Sequence, residues 1–335
     1  MRFFRNAIVV VLLYGTVCAV SVGDDADPAE RPRATLLLVM GEPGTDEYGE
    51  MFEEWAGRWR AAAEAGGVEV VEVGTDADGE VDDRTQLASA VAAQVGEEVR
   101  PLWIVLIGHG TFDGRTAKFN LRGSDVPAGE LAASLDELQR PLAVINCASS
   151  SGAFLDRLSA PGRVVVTATR NGSEVNFARF GDYLSQSIGS LEADFDKDGQ
   201  VSLLEAFLSA SRLTMEFYEG EDRIPTEHAL IDDDGDGVGT RGEAFDGIRP
   251  VRDTETGALD GYRAHQWHLL PGELERSFPV ELRARRDELE IAIFELRDRK
   301  GELPEEGYFA ELETLLLELA ELYEEAEKGS DSSGF

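Results

Sequence analysis

Two short segments of the chain set chemically capable groups at the ends of apolar runs. One is Leu106, Ile107, Gly108, His109 and Gly110. The other is Val144, Ile145, Asn146 and Cys147, followed by Ala148, Ser149, Ser150, Ser151 and Gly152. A thiolate is a strong nucleophile, and an imidazole moves protons near neutral pH. A Cys and a His brought to one edge of a sheet therefore have the parts for acyl transfer through a covalent intermediate. Cys147 begins or precedes a helix in this reading, and a helix N-terminus favours the thiolate. The alternative for Cys147 is a small buried hydrophobe.

Acidic spacing gives a second kind of chemistry. Asp194, Asp196, Asp198, Ser202 and Glu205 fall at positions 1, 3, 5, 9 and 12 of an EF-hand-type loop. Gly199 takes the sharp turn, Gln200 offers its carbonyl at position 7, and apolar Val201 follows. Asp232, Asp234, Asp236, Thr240 and Glu243 repeat the spacing, with Gly237 at the turn and the Val238 carbonyl at position 7. Here position 8 is Gly239, and no clear helix precedes the loop. Hard Ca²⁺ takes such oxygen sets, so calcium is the expected cofactor, and its binding would order this region and the site beside it. A solvated acidic loop is the plainer alternative for each. His265 and His268 flank Trp267, but two histidines without further ligand spacing are a weak zinc signal.

The rest of the composition narrows the context. The 335 residues are 42% hydrophobic, enough for a sizeable core. Lys and Arg number 31 against 66 Asp and Glu, a net charge of −35. Such a surface repels nucleic acid and anionic headgroups, and it suits basic peptides and divalent cations. Arg2 and Arg5, then apolar residues to Val20 and small residues at Ala19, Ser21 and Gly23, read as a signal peptide over 1–23. The run is short for a membrane span, so a secreted or periplasmic protein is expected, with a membrane anchor as the alternative. Cleavage would remove Cys18 and leave Cys147 as the one thiol, unable to form an internal disulfide.

The elements that position these groups follow from periodicity. After a polar linker over 24–33, the run 34–40 reads as a strand buried on both faces, and 102–107, 141–145 and 163–168 read alike. Alternation over 68–73 gives another strand, and 118–122 a small one. Tyr48, Met51, Phe52, Trp55 and Trp59 recur at helical spacing; helices are also expected near Leu87, over 127–138 and over 177–187. Alternating strands and helices predict an α/β fold with a mostly parallel sheet. Ligands of such sheets bind beyond the carboxyl ends of the strands, where both His109 and Cys147 fall. Leu282, Leu289, Ile293, Leu296 and then Phe309, Leu312, Leu316, Leu319 and Tyr323 predict a helical hairpin over 275–328, with Pro304 and Gly307 between. It would pack on its own domain or mediate self-association. Residues 329–335 read as disordered.

A strand ending in His-Gly, then a strand ending in Cys before a run of small residues, resembles the caspase/legumain clan of cysteine peptidases, in particular bacterial relatives of legumain. The resemblance spans about 35–230 and includes Lys118 to Gly123 and Thr167 to Ser173. It implies a three-layer caspase-like fold over 34–250, with His109 protonating the leaving amine, Cys147 attacking, and the N–H groups of Gly110 and Cys147 holding the oxyanion. It implies a peptide or protein substrate. It also places Arg170, Ser173 and Glu174 on a pocket wall, where Arg170 would favour an acidic side chain and Glu174 a basic one; an exposed loop is the alternative. The clan's acidic residue two before the Cys is Ile145 here, which leaves the residue cut after unassigned. The leading reading is an exported, calcium-binding cysteine peptidase or transpeptidase. The alternatives are a non-catalytic, calcium-dependent interaction protein on the same scaffold and an esterase-like acyl transferase using the same dyad.

Overall fold

Strands covered by helices on both faces must be apolar throughout, and the central ones here are. Thr35–Met40 (β1) is followed by helix α1 (Asp46–Gly66) and strand β2 (Glu69–Val73). Helix α2 (Asp83–Ala92) leads to β3 (Leu102–Ile107), every residue of which is buried. A small antiparallel sheet of β4 (Gly110–Phe112), β5 (Ala117–Phe119) and β6 (Val126–Pro127) precedes α3 (Ala128–Leu135). Then come β7 (Leu142–Asn146), α4 (Leu155–Leu158), β8 (Arg163–Thr167), α5 (Phe180–Ser187), α6 (Leu203–Gly220) and β9 (Leu230–Asp232). The computed structural model describes residues 33–75, 81–97, 99–251 and 260–332. The expected signal peptide lies outside these residues, as does the expected linker apart from Arg33.

The main sheet runs β2-β1-β3-β7-β8-β9, parallel except for β9, which pairs antiparallel with β8. One face packs under α1, α5 and α6 through Trp55, Trp59, Phe180 and Phe207. The other packs under α2, α3 and α4 through Leu87, Leu131 and Leu155. The three-layer α/β architecture expected from the sequence is thus the one observed.

Local chemistry sets the element ends. Thr45 caps α1 by accepting the Tyr48 N–H, and Gly67 ends it at φ +68° with its own N–H turned back to Ala63 and Glu64. Helix α5 starts at Phe180, later than the 177 expected. Its opening amides, Arg179 N and Phe180 N, are taken by the carboxylate of Glu227 from a distant segment. No local pattern encodes that cap.

The core does not end at 250. Trp267 meets Trp103 edge-on at 5.1 Å, and Leu203 N donates to Trp267 O at 2.8 Å. Leu269 is fully buried, and a Cβ on Gly66 would sit 2.0 Å from its carbonyl oxygen. The segment 260–269 therefore completes the layer beneath α1 and α6. Helices α7 (Glu273–Ser277), α8 (Val280–Asp298) and α9 (Glu305–Ser332) follow, and the last two form the expected hairpin. It packs back on the domain: Tyr262 stacks on Phe294 at 4.9 Å, and Gln266 donates to Asp287 O at 2.9 Å. Helix α9 continues to Ser332, into the tail expected to be disordered; 333–335 lie outside the described residues.

Trp267→Ala should lower the free energy of unfolding by about 3–5 kcal/mol, the usual cost of emptying a buried aromatic site. Urea unfolding checks this. A loss below about 1 kcal/mol would show that 260–269 is an appendage and not core.

Candidate functional site

Strands β3 and β7 are parallel neighbours, with Leu106 opposite Asn146. His109 and Cys147 therefore leave the sheet at one edge, as the sequence implied. Their side chains do not meet in a hydrogen bond. His109 Nε2 lies 3.2 Å from Pro43 O; since a carbonyl only accepts, Nε2 carries the proton and donates. The ring sits edge-on to Tyr48 at 4.8 Å and Phe52 at 5.3 Å. Burial pulls its pKa below the usual histidine value, and the Pro43 carbonyl opposes that in part.

Cys147 faces the layer under α5. It is 1% exposed. A Cβ on Gly181 would lie 3.2 Å from its Sγ and 2.9 Å from the Trp55 ring, so only glycine fits over the thiol. Burial pushes the Cys147 thiol up to about 12. Cys147 does not begin a helix but precedes one at a distance: beyond Ser150, at φ +57°, a 3₁₀ turn over Ser151–Phe154 runs into the short α4. With no helix terminus at the thiol, desolvation alone sets its acidity.

The two expected oxyanion donors are also occupied. Cys147 N donates to Leu106 O at 2.9 Å, continuing the β-ladder. Gly110 N donates to Ser149 Oγ at 3.3 Å, and Ser149 Oγ donates back to Gly110 O at 3.1 Å. A Cβ on Gly110 would lie 2.2 Å from Ser149 O, so this glycine lets two loops touch. Ser149 is the neighbour that sequence reasoning missed; one serine among three carried no distinguishing mark.

Of the expected pocket wall, Glu174 turns inward. Its Oε1 is 3.0 Å from Arg170 Nε and 2.6 Å from His228 Nδ1. Its Oε2 accepts from Arg170 N and His228 N, and its backbone oxygen accepts from Ser150 N at 2.8 Å. Glu174 is therefore a brace under the Ser150 loop, with no free oxygen edge for a basic ligand. Arg170 remains half-exposed, and Ser173 is exposed with its N–H on Asn171 Oδ1. Ile145, in the clan's acidic position, is fully buried in the core.

The acidic loops gather as expected in part. Carboxylate oxygens of Asp194, Asp196 and Asp198 lie within 4.8 Å of one another, and so do those of Asp232, Asp234 and Asp236. These all-oxygen sets fit Ca²⁺. In the first loop, Ser202 caps α6 and Glu205, 1% exposed, turns its carboxylate to the loop. Gln200 Oε1 accepts from Gly272 N, which ties the loop to the segment before α7. In the second loop Val238 is exposed, and Glu243 departs from expectation. It lies in a 3₁₀ turn over Gly242–Ala244 and pairs with Arg241 at 2.8 Å. Its side chain is exposed. His265 Nε2 sits 3.0 Å from Asp196 Oδ2. Among the described residues the aspartate trios are the only such ligand groups, so His265 and His268 gather no zinc set. A cavity of about 390 Å³ opens beside α6, lined by Leu208, Met215, Glu216, Glu219 and His228 among others.

No family model matches the chain, and no curated protein matches it either. Among solved structures, the Drosophila initiator caspase Dronc is similar at 15% identity and TM-score 0.43, over 63% of this chain and 82% of that one. A structural-genomics target protein from Geobacter sulfurreducens is similar at 12% identity and TM-score 0.40, over 62% and 97%. Caspase-1 from Spodoptera frugiperda is similar at 9% identity and TM-score 0.37, over 61% and 87%. At these values the geometry of this chain's own residues is the ground for any functional reading.

A thiol of pKa 9.0 is about one-tenth ionised at pH 8, and one near 12 only about one part in ten thousand. Iodoacetamide should therefore leave Cys147 of the folded protein unmodified at pH 8 and label it rapidly in urea, as intact mass will report. The folded pKa lies above the unfolded one. The thiol's contribution to stability should be whole below pH 9 and should fall away between 9 and about 12. Equal labelling in both states would contradict the sealed thiol.

Proposed function

We propose that the chain is an exported, calcium-binding interaction protein on a caspase/legumain-type scaffold, in which Cys147 has a packing role. The observation that carries this reading is the sealed thiol, 1% exposed with its pKa pushed to about 12. A cleaving thiol must ionise and reach a carbonyl carbon. In this geometry Cys147 is placed for neither step. His109 and Gly110 are engaged with Pro43 and Ser149.

The binding partner this reading favours is a basic peptide segment. Support comes from the net charge of −35 and from Glu219 on the cavity beside α6, where Glu216 is paired with Arg212 and Glu243 with Arg241. The turn after the second acidic loop also lines that cavity. Calcium at that loop would therefore shape the groove. Export rests on the basic and apolar opening of the sequence. The hairpin of α8 and α9 leaves Phe309, Leu316 and Leu317 exposed, a surface on which self-association would draw.

One observation favours the second reading, a cysteine peptidase or transpeptidase. The thiol lies at the same sheet edge as His109, and Gly181 and Trp55 pack directly over it. A shift of α5 would open the thiol beside the imidazole. Water or an amine would then resolve the same acyl-enzyme.

A thiol-directed peptidyl ketone and a peptide library, each with and without Ca²⁺, separate the two readings. We expect neither labelling nor cleavage. Cleavage that disappears in Cys147→Ala would overturn the interaction reading and establish the peptidase. Calcium is tested apart from this: EDTA should lower the melting temperature by several degrees, since a ligand at 100 times its Kd adds about 2.7 kcal/mol. It should also weaken binding of a Lys/Arg-rich peptide. A melting temperature and peptide affinity unmoved by EDTA would remove calcium from the proposal.

A further inference from the structure

We propose that Asp260 supplies the closing acidic ligand of the second calcium site, in the role that the spacing assigned to Glu243. This rests on the calcium reading above. It is carried by a correspondence of hydrogen bonds between the two loops and by a buried carboxyl group with no cationic partner among the described residues.

In the first loop, Glu205 at position 12 bridges the loop's start and its ninth residue. Its Oε1 accepts from Phe195 N at 2.8 Å and Asp196 N at 3.3 Å, and its Oε2 from Ser202 Oγ at 2.8 Å. In the second loop Asp260 makes these three bonds; the further bond from Ser202 N to Glu205 Oε2, at 2.9 Å, has no counterpart, because Thr240 N donates to Ile231 O. Asp260 Oδ1 accepts from Asp233 N at 2.9 Å and Asp234 N at 3.4 Å, and its Oδ2 from Thr240 Oγ1 at 2.6 Å. The donors are positions 2, 3 and 9 in both loops. The wiring of position 1 also coincides. Asp194 accepts from Lys197 N and Gly199 N, as Asp232 does from Gly235 N and Gly237 N. Asp260 therefore stands, relative to Asp232, Asp234 and Asp236, where Glu205 stands relative to Asp194, Asp196 and Asp198.

The charge balance points the same way. Asp232 and Asp260 are both 0% exposed, and among the described residues no ion pair reaches either. Buried carboxylates without a cationic partner are costly, and a bound divalent cation removes that cost for both at once. Glu243 is unsuited to the task, being exposed and paired with Arg241. Asp260 is delivered by a clamp. The buried Asp233 carboxylate accepts from Gly261 N at 2.9 Å and Ala264 N at 2.7 Å, which fastens the segment after Asp260 onto the loop. Position 2 of the loop thus holds the segment that carries the last ligand.

The test is calcium stoichiometry and affinity of the decalcified full chain, by equilibrium dialysis against ⁴⁵Ca²⁺. Wild type should bind two ions. D260N should weaken one of them by at least about 10-fold and leave the other unchanged, E205Q should weaken the other, and E243Q should keep both. Two ions of unchanged affinity in D260N, or loss of one ion in E243Q, would overturn the inference. If circular dichroism shows D260N unfolded, E243Q decides alone: two ions support the assignment and one overturns it. A wild type that binds no calcium would instead sink the calcium reading itself, together with this ligand.

Discussion

Buried carboxylates that take up backbone amides hold this molecule's working edge together. Glu174, Glu205, Glu227, Asp233 and Asp260 are each nine-tenths or more buried, and each accepts N–H groups from segments that the sheet leaves without partners. Loops beyond the carboxyl ends of parallel strands have no ladder to satisfy them, and buried amides must be paired. In this chain acidic side chains do that work across long sequence separations. Glu174 takes the Arg170 and His228 amides, Glu227 caps α5, and Asp233 with Asp260 closes the second acidic loop.

That constraint shapes the candidate site. Because Glu227 fixes the start of α5, Gly181 one residue later is pressed onto Cys147, and the thiol is sealed by the same helix that completes the core layer. Burial then raises the thiol's pKa and lowers that of His109, which moves both groups toward their neutral forms. At this edge the thiol is packed as core, while the imidazole stays half-buried.

The same acidic residues set the electrostatic character. Carboxylates held inside a chain of net charge −35 raise the cost of their own ionisation, and burial pushes the pKa of Glu227 and Asp233 upward. Backbone amides offset part of that cost, and a divalent cation at each loop would offset more. Fold stability and cation binding at these loops would then be linked through shared oxygens.

The central strands were legible because a strand covered on both faces must be apolar at every position, so the runs around Leu36, Ile104, Val144 and Val165 announced them, while their order in the sheet came only from the tertiary structure. The aspartate trios were legible because their ligands lie within one turn of chain, where spacing fixes geometry. The direction of the Cys147 side chain was not, since helix α5 decides whether a strand-end residue faces solvent or core. Nor was the role of Asp260, or the reach of the core to Leu269. Both depend on contacts between residues far apart in sequence, which no local period encodes. Sequence by itself determined which chemical groups arrive at the sheet edge, and tertiary packing decided which of them stay accessible, because burial and distant hydrogen-bond partners are properties of the assembled layers.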